Sequence, residues 1–353
     1  MSSRPSFART YLALALVLAV SVIAAAGIGA YAFTPARMVR LLGEGLGWLP
    51  RDAADALNRN VFLQLRLPRV LLAGLTGAVL AVCGTIMQGL FRNPIVEPGL
   101  VGTSAGAALG ASLVFVTGVP LFAPAGPLGA LALPLCAFLG ALGATALTFR
   151  MASAFRRVHV FTLLLAGIAV NALCAAGTGF LSYVARDPQA RNITFWSLGT
   201  FTTASWRGVV LVAVAFAIGF VGVMRDARAL NALMLGEEEA AALGVDPARL
   251  TRRLLVLNTL MVAVATSMVG VIAFVGLVVP HVLRLTRSSN YVFLVPASAL
   301  LGAAFAEVVD IAARVVIPPA ELPIGILTAI IGAPTFLLIL LQTQRRAEPG
   351  RDA

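Results

Sequence analysis

Runs of apolar residues, separated by short polar segments, recur along almost the whole chain. Most are roughly 17–25 residues long, enough for an α-helix to cross about 30 Å of hydrocarbon. The runs are Tyr11–Phe33, Val70–Phe91, Gly99–Val116, Leu128–Phe149, Val160–Tyr183, Gly208–Met224, Leu254–Phe274, a short Gly276–Leu285, Val292–Val316 and Leu322–Leu341. The pattern predicts an all-α polytopic membrane protein with about ten spanning helices. An even number of spans places both termini on one side of the membrane.

Composition supports a membrane protein and argues against a nucleic-acid partner. The 353 residues are 59% hydrophobic and 12% charged, whereas soluble domains carry about twice that charged fraction. The net charge of +11 comes from arginines alone, because the chain has no lysine. These arginines lie between apolar runs, as topology determinants do, and do not form a phosphate-binding patch. Cys83, Cys136 and Cys174 lie inside apolar runs without CxxC spacing, which indicates small buried side chains.

The distribution of arginines predicts the orientation of the chain. With a cytoplasmic N-terminus, 16 of the 26 arginines fall on the inner side and six of the outer ten lie in Arg37–Arg69. Cytoplasmic loops are enriched in arginine, so we expect both termini to be cytoplasmic. The outer segment Thr34–Leu67 is amphipathic, and we expect it to lie along the membrane interface as short helices.

One stretch, Arg225–Arg253, combines charge with helical periodicity. Its acidic run, Glu237–Glu239, is incompatible with hydrocarbon. Gly236 and Gly244 have the features of helix ends, and Pro247 those of a helix start. The pattern predicts two short cytoplasmic helices joined at Gly236.

A faint internal repeat surrounds this charged stretch. Gly84 and Pro94 are ten residues apart, as are Gly270 and Pro280. The spans that carry them run in opposite directions in the predicted topology, so the repeat is inverted, as is typical of transporters. The expected divisions of one membrane domain, 1–353, are about 66–200 for the first repeat, 225–250 for the charged segment and 251–343 for the second repeat.

The turn after the second predicted span carries the densest signal. Arg92-Asn93-Pro94 breaks one helix, and Glu97 lies near the positive N-terminal end of the next. Gly102, Gly106 and Gly110 are spaced at four residues, which favours close helix packing. A tight turn followed by a packing helix and a role beside a substrate path are both consistent with this pattern.

Several motifs together resemble one family of proteins. They are RLPR at Arg66–Arg69, RNPIVEPGLVGTSAGAALGA, GEEEAAALGVD, GVIAFVGLVVPHVLR at Gly270–Arg284, and ELPIGILTAIIGAPTFLLILL from Glu321. In this order, and over nearly the whole chain, they resemble the membrane-spanning permease of ABC importers for cobalamin, iron-siderophores and heme. The resemblance implies a bacterial inner-membrane homodimer, two cytoplasmic ATPase subunits that bind ATP and Mg²⁺, and a periplasmic binding protein that delivers the cargo. No cofactor is expected on this chain itself.

The resemblance also implies three groups of functional residues. Arg66, Arg69 and Arg314 match outer positions that receive acidic residues of the binding protein, a pairing that suits guanidinium groups; the alternative is arginine snorkelling at helix ends. The match to the cytoplasmic coupling helices that contact the ATPase comprises Leu235, Gly236, Glu237, Glu238, Glu239, Ala240, Leu243 and Gly244. The match to the inner end of the pathway comprises Asn93, Ile95, Val160 and Phe161.

The gate positions bear on the cargo. Val160 and Phe161 fall where the cobalamin permease has small hydroxyl residues, which favours a more apolar cargo. We expect heme, with ferric siderophore as the second candidate and cobalamin as the third. His281 belongs to the PHVLR motif and is expected to be structural, and His159 to be solvated, so neither is expected to ligate a heme iron.

A different class, the ion-coupled secondary transporter, is also built from inverted repeats and would carry acids near the membrane midplane. We expect Glu307, Asp310 and Glu321 to form an outer salt-bridge cluster with Arg314 instead. The chain has no GxxxxGK[ST], HExxH or GxSxG sequence. It is therefore not expected to hydrolyse ATP or to act as a membrane protease or lipase.

Overall fold

The computed structural model describes residues 7–29, 31–118, 129–153 and 160–347. In these ranges the chain is almost entirely helical and contains no β-strand. The α-helices are α1 (Ala8–Gly27), α2 (Pro35–Gly45), α3 (Ala56–Asn60), α4 (Leu67–Leu90), α5 (Thr103–Thr117), α6 (Gly129–Ser153), α7 (Val160–Val184), α8 (Gln189–Ser197), α9 (Trp206–Leu233), α10 (Glu237–Ala242), α11 (Pro247–Val269), α12 (Val275–Thr286), α13 (Tyr291–Val315) and α14 (Ile324–Ala347).

The predicted all-α membrane fold is confirmed. Seven helices of the described chain are long and apolar enough to cross a membrane. Three shorter apolar helices, Thr103–Thr117, Val275–Thr286 and Ile324–Leu338, account for the other predicted spans. The chain is therefore an all-α, multi-span membrane protein.

Helix α4 is the central helix of the bundle. Almost every side chain from Thr76 to Leu90 is buried, and the helix packs against α9, α11, α12 and α13. Small residues make these approaches possible: a methyl group on Gly77 would collide with the carbonyl oxygen of Gly302, and one on Gly84 with that of Gly276. Close backbone approach at small residues is the usual way in which helices associate in a membrane.

Helices α4 and α13 are antiparallel and define two ends of the molecule. At one end, here called the arginine end, Arg69 at the start of α4 meets Asp310 near the end of α13. At the other, called the α10 end, Tyr291 at the start of α13 bonds to Arg284, and Arg284 bonds to Gln88 near the end of α4. Helix α10 belongs to this second end, because Glu237 lies 4.0 Å from Arg92.

The inverted repeat is visible as two units, each a long helix, a break and a short helix. Helix α4 starts at the arginine end and is followed by a break and α5; α11 starts beside α10 and is followed by a break and α12. Gly84 lies within α4, six residues before its last residue, Leu90, and Gly270 follows the last residue of α11.

The charged stretch contains one separate short helix and not the two predicted ones. Helix α9 continues from the membrane through Leu233, because its periodicity is unbroken up to that point. Only α10 stands alone, bounded by Gly236 (φ +147°) and Gly244 (φ +81°), two conformations that favour glycine. Pro247 begins α11 as predicted, after Asp246 caps the helix through Arg249 N–H at 3.0 Å.

The segment before α4 forms short helices, as predicted, but its apolar face is turned into the protein. Met38, Leu41 and Phe62 are buried against α1 and the start of α4. Arg37 pairs with Asp55 at 2.6 Å, and this hydrogen bond holds the pKa of Asp55 below its usual range. Trp48, which is 79% exposed, remains available for the membrane interface.

Candidate functional site

The three predicted docking arginines converge at the arginine end. Arg66 ends the π-helical segment Val61–Arg66 and Arg69 lies on the first turn of α4, whereas Arg314 lies on the last turn of α13. All three line one pocket of about 560 Å³, with Glu321 at its edge. The three arginines share this pocket although 245 residues separate Arg69 from Arg314 (314 − 69).

Two of these arginines are engaged with the backbone. Arg66 Nη1 donates to the carbonyl oxygen of Ile28 at 2.8 Å, and Arg314 Nη1 donates to the same oxygen at 2.5 Å. Arg66 also donates to the carbonyl of Tyr31 at 3.1 Å. Both side chains are mostly buried. They therefore hold the loop after α1 against the start of α4 and the end of α13.

The third arginine belongs to a network of ion pairs. Arg69 lies 2.8 Å from Asp310 and 2.9 Å from Glu321, and Arg314 Nε lies 3.0 Å from Asp310. The predicted acidic cluster is thus confirmed for Asp310 and Glu321. It is wrong for Glu307, whose buried carboxylate oxygens have no hydrogen-bond partner in the described chain.

A cavity of about 480 Å³, open on one side, lies between the two ends of the bundle. The breaks of both repeat units form part of its wall, with residues from α5, α7 and α8 completing it. The polar residues that line it are Glu97, Ser104, Asn171, Thr178 and Ser197. Most of the remaining lining is aliphatic, so the cavity suits a largely apolar molecule held by a few polar contacts.

Side chains from distant helices support the break after α4, where Pro98–Val101 forms a single 3₁₀ turn. Asn171 on α7 donates to the carbonyl of Leu100 at 3.1 Å, and Asn258 on α11 donates to that of Pro98 at 3.3 Å. Irregular backbone inside a membrane protein is tolerated where such partners satisfy it. The turn is therefore part of the rigid frame of the cavity.

Glu97 caps a helix other than the predicted one. Its Oε1 accepts a hydrogen bond of 2.7 Å from Phe274 N–H, immediately before α12 begins. A carboxylate at a helix N-terminus is favourable. The predicted partner was the following helix, but Glu97 instead connects the break of the first repeat unit to that of the second.

Asn171 and Asn258 are functional-site residues that were not predicted from the sequence. Each is a lone amide inside an apolar span. Because polar residues in membrane helices usually have a structural or functional partner, this pattern could have indicated that both are important. The partner itself could not be predicted, because 71 residues separate Asn171 from Leu100 and 160 separate Asn258 from Pro98.

The four predicted gate residues lie in two places. Asn93 Oδ1 accepts from Ile95 N–H at 3.1 Å, and Ile95 packs against the buried pair Leu277 and Val278. Phe161 is 71% exposed on α7 and is not among the residues packed around Ile95 in the described chain. Val160 begins α7. The structure therefore joins Asn93 with Ile95 and does not bring Phe161 into that contact.

The predicted coupling residues form the exposed surface of the α10 end. Leu235 and Leu243, which are 68% and 65% exposed, flank α10, while Ala240 is buried and fixes the helix to the bundle. Glu237, Glu238 and Glu239 occupy the first turn of α10, where carboxylates complement the helix dipole. This arrangement leaves an apolar and acidic surface on the outside of the molecule.

His281 belongs to no metal site in the part of the chain that the structure describes. His281 is half-buried on α12, and His159 lies outside the described residues. Within the described ranges, no group of three or more His, Cys, Asp or Glu side chains could hold a metal ion.

Comparison with known sequences connects this architecture to transport. A model of the FecCD transport family matches residues 16–342. The hemin transport system permease protein HmuU of Yersinia pestis is 43% identical over 290 residues, which cover 82% of this chain and 85% of that protein. The vitamin B12 import system permease protein BtuC of Salmonella typhi is 39% identical over 308 residues, or 86% of this chain and 91% of that protein.

Solved structures give the same picture. A metal-chelate type ABC transporter in an inward-facing conformation superposes with a TM-score of 0.79 at 32% identity, covering 95% of this chain and 99% of the other. PsaBC from Streptococcus pneumoniae superposes with a TM-score of 0.55 at 16% identity, covering 81% of this chain and 95% of the other, and at that identity shares the fold alone.

Proposed function

Because the chain belongs to the FecCD transport family, whose members are permease subunits of ABC importers, we propose that it carries heme across the bacterial inner membrane. The working unit is a homodimer with two ATPase subunits, and a periplasmic binding protein delivers the heme. ATP and Mg²⁺ bind to the ATPase subunits, and this chain contributes the path.

The identity to the hemin permease is the observation that carries the choice of cargo. That relative is 43% identical, compared with 39% for the vitamin B12 permease. The mainly aliphatic cavity of about 480 Å³ supports the same choice, because heme is a flat and largely apolar molecule. The exposed Phe161, at a predicted gate position, is consistent with an apolar cargo.

The arginine end is the proposed docking surface for the binding protein. Arg66 and Arg314 are mostly buried and hold the loop after α1, so they act by shaping the pocket. Arg69 faces the same pocket as Glu321 and is the group that acidic residues of the binding protein approach. In this orientation the arginine end is periplasmic, and both termini are cytoplasmic.

The α10 end is the proposed contact with the ATPase. Leu235 and Leu243 supply apolar area for burial, and the acidic first turn of α10 supplies charge. ATP binding closes the ATPase dimer, and α10 passes that movement to α9 and α11, which it connects. Opening at one end of the cavity and closing at the other then exchange access to the two sides of the membrane.

Ferric siderophore is the second candidate cargo. The metal-chelate type transporter covers 95% of this chain at 32% identity, and a siderophore is likewise an iron chelate. Vitamin B12 follows, on the 39% identity to BtuC.

Reconstitution tests both the class of transporter and its cargo. The permease, its ATPase subunits and its binding protein are placed in proteoliposomes, and uptake of heme, a ferric siderophore and cobalamin is measured with and without ATP. We expect ATP-dependent uptake with heme as the preferred cargo. Preference for a siderophore or cobalamin overturns the cargo assignment and leaves the importer intact.

The same liposomes without ATPase subunits test the ion-coupled alternative. The buried carboxylate of Glu307 is the group that such a carrier would use, since it lies inside a spanning helix and its oxygens have no hydrogen-bond partner in the described chain. Uptake by the permease alone, driven by a pH or sodium gradient, would contradict the importer assignment. We expect none.

A further inference from the structure

A groove of about 600 Å³ lies on the surface between α9 and α11, outside the cavity and the arginine end, and its charged part lies toward the α10 end. It has apolar walls and two arginines. The lining residues are Ala217, Ile218, Val221, Gly222, Arg225, Arg253 and Leu257.

The apolar wall of the groove continues an exposed stripe along α9. Val210, Val214, Ile218 and Val221 are exposed and recur at helical spacing. In a spanning helix such side chains face lipid tails or another subunit. The stripe ends at the exposed Arg225, two turns before the end of α9 at Leu233. The groove thus leads from an apolar surface to a charged one at the α10 end.

Gly222 and Leu257 of the facing helix meet in the wall of the groove. On Gly222, an added Cβ would lie 2.6 Å from Leu257 Cδ1. Leu257 therefore packs directly over the glycine, and the two residues form a continuous aliphatic surface beside the groove.

The two arginines differ in how they are held. Asp226 accepts a hydrogen bond from Arg253 Nε at 2.6 Å and a second from its Nη2. This fixes the guanidinium, yet its side chain is 54% exposed, and Nη1 is not used by the pair. Arg225 has no ion pair with any residue of the described chain. Asp226 pairs with Arg253 and with no other arginine there. The groove therefore carries more positive than negative charge at this end.

We propose that this groove binds an anionic glycerophospholipid, with an acyl chain along Val221, Gly222 and Leu257 and the phosphate against Arg225 and Arg253. Guanidinium groups pair well with phosphate oxygens, and basic pockets between spanning helices suit anionic lipid headgroups. The aliphatic wall of the groove favours a ligand with an acyl chain over a free phosphate ion. The net positive charge at its end favours an anionic headgroup over a zwitterionic one.

Two variants and one control test the site in the intact permease. The protein is purified in detergent and exchanged into equal amounts of phosphatidylglycerol and phosphatidylethanolamine, and bound lipid is counted by native mass spectrometry. Arg225→Gln removes one charge. Gly222→Leu adds a side chain where Gly222 meets Leu257, which pushes aliphatic atoms into the groove while both arginines remain. Arg228→Gln removes an exposed arginine of the same helix that does not line the groove.

We expect Arg225→Gln to lower the bound phosphatidylglycerol about fivefold, as loss of one basic residue near an anionic headgroup should. Gly222→Leu should lower it at least as much, and Arg228→Gln should leave it near the wild-type value. Bound phosphatidylethanolamine should be low throughout, and millimolar inorganic phosphate should not displace the lipid. Each variant is counted only if it elutes as the wild type does.

Four outcomes would overturn the proposal. If Arg225→Gln binds as much phosphatidylglycerol as the wild type, Arg225 does not contact the headgroup. If Arg228→Gln loses as much bound lipid as Arg225→Gln, the binding depends on the general surface charge and not on the groove. Displacement by inorganic phosphate identifies an anion site instead of a lipid site. A cross-link between two copies that forms in Ile218→Cys, and not in the unsubstituted protein, would mean that a second copy covers this surface.

Discussion

Asp310 accepts hydrogen bonds from Arg69 Nε at 3.0 Å and from Arg69 Nη2 at 2.8 Å, across 241 residues of sequence. The same carboxylate lies 3.0 Å from Arg314 Nε. Asp310 is fully buried, so it is the only acid wholly inside this network in the described chain. The start of α4 and the end of α13 are therefore joined by one carboxylate shared between two guanidinium groups.

Substitution of Asp310 should destabilise the fold strongly. Asp310→Asn leaves two largely buried guanidinium groups with less negative charge, and breaking a buried ion pair from one side costs about 3 kcal/mol or more. Thermal unfolding of the detergent-solubilised protein measures this loss.

Glu307 provides the matched control, because it is a buried acid three residues away on the same helix. Its carboxylate has no hydrogen-bond partner in the described chain, so Glu307→Gln, which removes a charge-bearing group from an apolar site, should change stability by less than about 1 kcal/mol or increase it. If both variants lose the same stability, the ion pairs of Asp310 do not stabilise the fold more than any other buried acid on α13 does.

Removal of the acid at the mouth of the arginine pocket should strengthen docking. Glu321 lies 2.9 Å from Arg69, and its side chain is 35% exposed. Glu321→Gln leaves Arg69 paired with Asp310 and makes the pocket more positive. We expect the affinity for the binding protein to rise about two- to fivefold at low salt, and the gain to shrink as salt is added.

The control for this variant is Asp52→Asn, which removes another partly exposed acid, paired with Arg40 on the segment before α4. Surface plasmon resonance with the purified binding protein measures both. A lower affinity for Glu321→Gln, or an equal gain for Asp52→Asn, would mean that the arginine pocket is not the docking surface.

The spans were predictable because each depends on local information alone. A run of about twenty apolar residues must be helical in a membrane, whatever surrounds it. The same holds for the isolation of α10, since Glu237–Glu239 cannot enter hydrocarbon and Gly236 and Gly244 bound the helix. The extent of α9 was not predictable, because its polar end keeps helical periodicity without a membrane signal.

The cavity was harder to predict, because its walls come from residues that are far apart in sequence. Glu97 and Phe274 are 177 positions apart, and the cap between them follows from how two breaks meet. The carboxylate could equally have capped the helix next to it, which is what the local pattern indicates. Family resemblance identified the arginines that meet but not their carbonyl partners Ile28 and Tyr31.

Glycine at position 84 should be essential for the packing of the two repeat units. Gly84→Ala places a methyl group against the carbonyl oxygen of Gly276, in backbone that cannot move away. We expect a loss of at least about 2 kcal/mol, as for overpacked cores, and poor yield of folded protein.

Gly143→Ala is the control, because no atom lies within 4 Å of an added Cβ at that position on α6. Alanine favours helix over glycine, so stability should be unchanged or slightly higher. Size-exclusion chromatography and thermal unfolding compare the two. Normal stability of Gly84→Ala would contradict the close approach of α4 to Gly276.

The cap at Glu97 should depend on hydrogen-bond acceptance more than on charge. Glu97→Gln keeps an oxygen that can accept from Phe274 N–H, whereas Glu97→Ala leaves that N–H without a partner and enlarges the cavity. An unsatisfied buried donor costs about 1–3 kcal/mol. ATP-dependent uptake should therefore stay near the wild-type rate in Glu97→Gln and fall in Glu97→Ala. Equal losses would indicate that the negative charge itself acts on the cargo.

The exposed leucine after α10 should be required for assembly with the ATPase. Leu243 is 65% exposed, and burial of a leucine side chain in an interface contributes about 1.5–3 kcal/mol. Leu243→Ser should thus weaken ATPase binding by at least about tenfold, without loss of the permease fold, because the side chain makes little contact within the chain.

Leu46→Ser is the matched control, since Leu46 is 61% exposed but lies on the segment before α4, close to the arginine end. Binding of the purified ATPase to each variant in nanodiscs gives the comparison. If Leu46→Ser weakened ATPase binding and Leu243→Ser did not, the two ends of the molecule would have to exchange their proposed partners. Because ATPase and binding protein are added separately, the same nanodiscs then report which partner each end binds.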